Sequence, residues 1–290
     1  ITDLKDVDFL IAGVPFDTGG TFRVGARFGP SGIRENSLLL RPYNPAQDIE
    51  IFDYCSGIDF GDLPIVPGYL AESHKMIKNN ADIIFQSQST PVFIGGDHSI
   101  SLPLLRAAKE QFGPLALVHF DAHSDLWHGY FNKKDTHGTP FRRAIEEKLI
   151  DPSLSCQIGL RGPLYDKKDS TMPEDEGLLA ITGPELHQIG IERAIKLVKE
   201  RVGNGPAYLT FDIDFLDPAY APGTGTPEAG GFTGYESIRF IRGLKNIDFI
   251  GFDLVEVMPG YDPTQMTCLL AANIIYEFIS LIALQKKPSQ

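Results

Sequence analysis

The chain has 290 residues, is 42% hydrophobic and 22% charged, and carries a formal net charge of -12. This is the balance of an ordinary globular protein long enough for a sizeable core, and its acidity argues against a nucleic-acid partner. Three widely separated cysteines, Cys55, Cys156 and Cys268, without a Cys-x-x-Cys pair, argue against a disulfide framework and for a reducing, cytoplasmic setting.

The N-terminal stretch reaches its first apolar run already carrying Asp3 and Lys5, which is not the pattern of a secretory leader. Residues 7–14 predict a strand. A Gly-rich loop then leads to Gly29-Pro30-Ser31-Gly32, a helix start with proline near its first position. Residues 49–55 predict a second strand, 69–86 a helix and 91–94 a third strand, followed by a helix capped by Ser99 and running to 112. Residues 115–120 form the fourth strand, 126–138 are irregular, and Thr139-Pro140 opens a helix to 149. Strands at 155–160 and 177–181, a helix at 191–202 and a strand at 206–211 follow. A loop dense in Gly and Pro covers 218–231, then a helix covers 233–244 and an eighth strand 247–254. The apolar stretch 269–284 is short for a membrane span; Asn273, Glu277 and Ser280 share one helical face, which predicts a buried helix with a polar stripe. Strands alternating with helices imply a parallel sheet buried on both faces, in one domain over 1–290. An open sheet between helical layers and a closed (β/α)8 barrel both fit.

Three predicted strands end in metal-type ligands: Asp97 and His98 in GGDHS, Asp121, His123 and Asp125 in DAHSD, and Asp212 and Asp214 in FDID. In an extended backbone, side chains two apart leave on the same side, so Asp-x-His-x-Asp aims three ligands at one point. Asp97 reads as a cap or as an acceptor behind the ligands. The glycine pair before it lacks nucleotide-loop spacing, and Leu126 stands where a calcium loop would need glycine. Asp217-Pro218 reads as a turn. Four aspartates gathered without cations would repel one another strongly. Carboxylates with imidazoles suit manganese, with nickel, iron, cobalt and zinc open, and the absence of thiolate argues against a structural zinc site. Two ions sharing these ligands imply a bridging water of lowered pKa, a hydrolytic nucleophile. His137, beside Gly138 in the irregular stretch, reads as a proton shuttle, and Glu256, after the eighth strand, as a holder of a cationic group. His119 reads as buried and hydrogen-bonded; His74 and His187 receive no role. A two-metal phosphoesterase is the rival chemistry, but the motifs offer no Arg or Lys for phosphate, and an inactive binding subunit is the rival class.

Together GGDHS, DAHSD, HGTPFRRA, FDIDFLDPAYAPGTGTPEAGG and EVMP, with GTFRVGARFGPSGIR near the start, resemble the ureohydrolase family: arginase, agmatinase and the guanidino-acid hydrolases. The resemblance implies a three-layer α/β/α sandwich around a mostly parallel, open, eight-stranded sheet, and a homo-oligomer (trimer or hexamer) with no membrane partner. It implies two Mn2+ ions, one held by His98, Asp121, Asp125 and Asp212, the other by Asp121, His123, Asp212 and Asp214. Asp125 would also steady the attacking hydroxide, His137 would shuttle protons and Glu256 would hold the guanidinium. Arginases carry Asn-Thr-Pro and Ser-Gly-Asn segments after DAHSD and an acid where this chain has Gly162. Here LWHGYFNKKDTHG follows instead, which points away from arginine and toward agmatine, giving putrescine and urea, or a guanidino acid. Family members often carry an arm before the first strand, near which this chain begins. Trp127, His128, Tyr130, Lys133, Lys134 and Asp135 are expected to wall the pocket, with Trp127 and Tyr130 against the substrate.

Overall fold

A computed structural model describes residues 4–288; residues 1–3, where the stretch read for a leader starts, lie outside them. Among the described residues the strands are β1 (Phe9–Val14), β2 (Tyr43–Asn44), β3 (Ile49–Glu50), β4 (Gly57–Asp62), β5 (Thr90–Gly95), β6 (Ala116–Phe120), β7 (Cys156–Leu160), β8 (Leu179–Thr182), β9 (Ala207–Asp212) and β10 (Phe249–Val255). The helices are α1 (Gly29–Asn36), α2 (Leu70–Gln86), α3 (Ser101–Phe112), α4 (Pro140–Glu146), α5 (Met172–Asp175), α6 (Gly183–Ile189), α7 (Ile191–Val202), α8 (Gly234–Gly243) and α9 (Met266–Lys286). Eight strands form one open sheet in the order β4-β1-β5-β10-β9-β6-β7-β8, and every neighbouring pair is parallel. The closed barrel is thereby excluded.

Alternation along the strands builds a core on each face. Val92, Ile94, Val118, Phe120, Leu209 and Phe211 pack with α1, α7, α8 and α9. Phe93, Leu117 and Tyr208, one residue out of phase, pack with α2, α3 and α4. The result is three layers. In α9 the expected polar stripe is present: Glu277 and Ser280 are buried. Glu277 accepts bonds from Arg242 (2.6 Å), Asn44 (3.1 Å) and Gln47 (3.2 Å).

Two expectations change. Of residues 49–55 only Ile49–Glu50 is strand, paired antiparallel with β2; the sheet's second strand in the chain is β4, at its edge. Its sequence, GIDFGD, lacks an apolar run because its residues stay half-buried or exposed. Asp97, not Ser99, makes the cap after β5: its side chain accepts the Ser99 N–H.

The order also explains where a site belongs. β6 follows β5 and α3 in the chain, yet β10 and β9 stand between β5 and β6. Such a switch in strand order opens a crevice at the carboxyl ends of the strands. Those four adjacent ends carry His98, Glu256, Asp212 and Asp121.

Candidate metal centre

The turn after β5 requires glycine. A Cβ on Gly96 would stand 2.4 Å from the Phe16 carbonyl and 2.6 Å from that of Val14. The Asp97 N–H donates to the Phe16 carbonyl at 2.8 Å. The Asp97 carboxylate accepts from Gly19 N–H (2.7 Å), Ser99 N–H (3.0 Å) and Ser99 Oγ (2.5 Å). Asp97 is therefore committed to holding two loops, and His98 is released toward the crevice.

His98, Asp121, His123, Asp125, Asp212 and Asp214 do converge, although not through an extended backbone. β6 ends at Phe120, and Asp125 turns back with φ 51°; Asp214 lies in a 3-10 turn, Ile213–Phe215, beyond β9. His98 Nδ1 lies 3.1 Å from Asp121 Oδ2, 3.0 Å from Asp125 Oδ2 and 3.3 Å from Asp212 Oδ2. His123 Nδ1 lies 3.3 Å from Asp121 Oδ1 and 3.0 Å from Asp214 Oδ2. The two oxygens of Asp121 thus face two adjacent groups of donors. A cation bound at about 2.1 Å separates neighbouring octahedral ligands by about 3 Å, so the spacing fits two ions.

The far sides of the rings sharpen this fit. Thr210 Oγ1 donates to Asp253 Oδ1 (2.5 Å), which leaves it to accept from His98 Nε2 at 2.9 Å. His98 Nδ1 then turns a lone pair toward three carboxylate oxygens, and it is a buried nitrogen without a hydrogen-bond partner. A lone pair facing three anions calls for a cation between them. His119 behaves oppositely. Gln157 donates to its Nδ1 at 2.9 Å, which puts its proton on Nε2, 2.8 Å from Asp121 Oδ2. His119 sits close enough to His98 and Asp121 to join a ligand group, but this proton makes it a donor that orients Asp121, as its burial in a strand suggested. Burial and the neighbouring acids raise Asp212 well above the usual carboxylate range and Asp214 to about 6.

Glu256 follows β10 with φ 63°, a second non-glycine residue of the site in the left-handed region. Its Oε1 accepts the His98 N–H at 2.9 Å and faces His137 Nδ1 at 3.0 Å, while its Oε2 is buried without a partner. Burial lowers the pKa of His137, but the Glu256 carboxylate, with Asp125 and Asp97 behind it, outweighs burial and carries the ring to about 9. Thr21 works against that second proton, because its backbone N–H points at His137 Nε2 from 3.2 Å.

A cavity of about 870 Å³ opens over the acids. Trp127 and Tyr130 line it as expected, joined by Tyr165, whose ring centroid is 5.5 Å from that of Trp127. His128, Lys133, Lys134 and Asp135 do not line it: Tyr130 and Lys133 pair backbone to backbone in a tight turn, which carries those side chains away. The charged residues that do line it include Asp169 and Glu228. Glu228 stands where a side chain on Gly162 would be; a Cβ there would lie 2.5 Å from its carboxyl carbon. Thr21, Gln157, Thr210, Asp253 and Glu228 were not singled out from the sequence. Gln157, Thr210 and Asp253 lie inside strands without a site motif, whereas Thr21 stands within GTFRVGARFGPSGIR and Glu228 within TPEAGG, neither string assigning it a role.

Residues 7–280 match the profile of the arginase family. The chain is 44% identical to a guanidinobutyrase of Pseudomonas aeruginosa over 97% of its length and 88% of that protein. It is 41% identical to a mitochondrial agmatinase of Gallus gallus, covering 97% of this chain and 83% of the relative. A crystal structure of a hypothetical agmatinase from Burkholderia thailandensis superposes with a TM-score of 0.91 at 39% identity, covering 99% of this chain and 89% of that one.

Proposed function

The chain belongs to the arginase family, and from that premise we propose that it hydrolyses agmatine to putrescine and urea. It is an amidinohydrolase acting on linear guanidino compounds. The observation that carries the reading is the lone pair of His98 Nδ1 set among three carboxylate oxygens at 3.0–3.3 Å.

His98, Asp121, Asp125 and Asp212 would hold one divalent ion, and Asp121, His123, Asp212 and Asp214 the other. Hard oxygens with two imidazoles suit two Mn2+, with Ni2+ as the competitor. When bound, such a pair polarises water into a nucleophile near neutral pH. Glu256 offers its unpartnered Oε2 to the guanidinium, so an otherwise unpaired buried carboxylate oxygen meets a planar cation. His137 Nδ1 ties to the same carboxylate, so a guanidinium held by Glu256 would lie near the proton shuttle. Asp125 orients the attacking water. Three free buried cysteines accord with the cytoplasm, and the family resemblance with a homo-oligomer.

Charge on the wall supports the amine-tailed substrate. Asp169 and Glu228 line the cavity, and Arg161, the one Lys or Arg among the described lining residues, spends its guanidinium on the backbone carbonyls of Gly159, Asp214, Leu216 and Glu228. A tail ammonium meets acids; a tail carboxylate meets none of the expected lysines. Similarity to the guanidinobutyrase favours a second reading, a guanidino acid such as 4-guanidinobutyrate or 3-guanidinopropionate. Urea release from agmatine, these two acids and arginine, after loading with Mn2+ or Ni2+, separates the readings. Agmatine is expected to give the highest kcat/KM; a rate no higher than that for 4-guanidinobutyrate refutes the first choice.

A further inference from the structure

We propose that Thr21 is the outer member of a proton relay, Glu256–His137–Thr21, that carries protons between His137 Nε2 and the cavity. This rests on the amidinohydrolase reading above. His137 has no ring nitrogen left to face a substrate directly. Nδ1 is taken by Glu256 Oε1 at 3.0 Å, and Nε2 lies 2.7 Å from Thr21 Oγ1 and 3.2 Å from the Thr21 backbone nitrogen. Thr21 and the small exposed part of the His137 ring both line the cavity, but the ring's two nitrogens are both engaged. A hydroxyl both accepts and donates, so it can pass a proton to an imidazole whose own nitrogens are both engaged.

The loop carrying Thr21 is fixed for this purpose. The Gly19 N–H donates to Asp97 Oδ2 at 2.7 Å, and the Gly19 carbonyl accepts the His137 N–H at 2.9 Å. A Cβ on Gly19 would lie 2.6 Å from Ser99 Oγ and 2.9 Å from Asp97 Oδ1, so only glycine lets the loop close on Asp97. Asp17 closes the loop's other end, accepting the Gly25 N–H at 2.9 Å and pairing with Arg27. Thr21 and His137 are 116 residues apart in the chain yet share two anchors.

The protons balance. Water adds its oxygen to the guanidinium carbon and loses a proton; the bond from that carbon to the amine nitrogen breaks, and the nitrogen gains a proton. Thr21 Oγ takes the water's proton as its own passes to His137 Nε2. The reverse transfer delivers a proton to the departing nitrogen, and both side chains end as they began.

The test compares Thr21→Val, which keeps shape and backbone N–H, with Thr21→Ser, which restores the hydroxyl, in the metal-loaded full chain. Thr21→Val is expected to lower kcat for urea release by about ten- to a hundredfold with KM and metal content unchanged, and to flatten the kcat–pH profile. Its rate is expected to rise with added imidazole, a diffusible proton carrier, while Thr21→Ser recovers most of the loss without it. Wild-type kcat in Thr21→Val, or a loss that imidazole does not relieve, overturns the relay while the amidinohydrolase reading stands. A wild-type protein that releases no urea from any guanidine overturns the activity and the relay together.

Discussion

Asp121 is the residue on which the two donor groups depend, because its two carboxylate oxygens face different histidines, His98 and His123, at 3.1 and 3.3 Å. Asp121→Ala is expected to drop bound metal from about two equivalents to below one and to lower urea release by at least about a thousandfold; elemental analysis showing two retained equivalents would contradict the bridging position. Glu256→Gln keeps volume but removes the charge that meets the guanidinium. A fall in kcat/KM of about a hundredfold, with metal retained, is expected, and unchanged steady-state kinetics would take Glu256 out of the site. The six donors were legible because each sits in a short acidic or histidine-bearing string at a strand end. Thr210 and Asp253 were not. Thr210 acts on His98 from 112 residues away and Asp253 acts through Thr210, both from inside strands, where a threonine and an aspartate read as a packing residue and an anomaly.

At the scale of elements, the site depends on turns that only particular residues allow. Gly96→Ala would drive a methyl group into the backbone of residues 14–16. The strain is expected to cost about 1–3 kcal/mol and to displace His98, so thermal melting and metal content should fall together; a lower melting point with full metal occupancy would separate the turn from the centre. In the opposite layer, Glu277→Ala leaves the buried end of Arg242 without its anion and Gln47 without its acceptor. Because Arg242 is about one-third exposed, water relieves part of the loss and about 2 kcal/mol is expected from urea denaturation. Element type was readable where the chain runs apolar with little interruption, as in β5, β6 and β9, and where such a run carries one polar stripe, as in α9. It failed at β4, whose half-exposed edge position needs no apolar run, and in choosing between open sheet and barrel, because both give each strand the same buried sequence.

For the whole molecule, the fold carries a repulsive charge cluster at its centre as a condition of activity. Burial first, then the neighbouring acids, raise Asp214 from its ordinary value to about 6, and Asp212 rises well beyond its own. A carboxylate whose folded pKa is raised binds more protons in the native state than in the unfolded chain, so Asp212 and Asp214 penalise the metal-free fold at neutral pH and the penalty is relieved as pH falls through about 6 toward 4. Asp121, which against its burial is held well below the usual range by His119, His123 and His98, does not share it. Bound cations remove the same penalty at neutral pH, but protons displace them as pH falls. Chelation at pH 7.5 should therefore lower the melting temperature by several degrees, roughly 2–4 °C for each kcal/mol of binding energy lost. Below about pH 6 the melting curves of loaded and chelated protein should draw together. A gap that stays constant from pH 7.5 to about 5 would mean that these carboxylates are not what the metals neutralise, and that the charge cluster is tolerated by the fold through some other compensation.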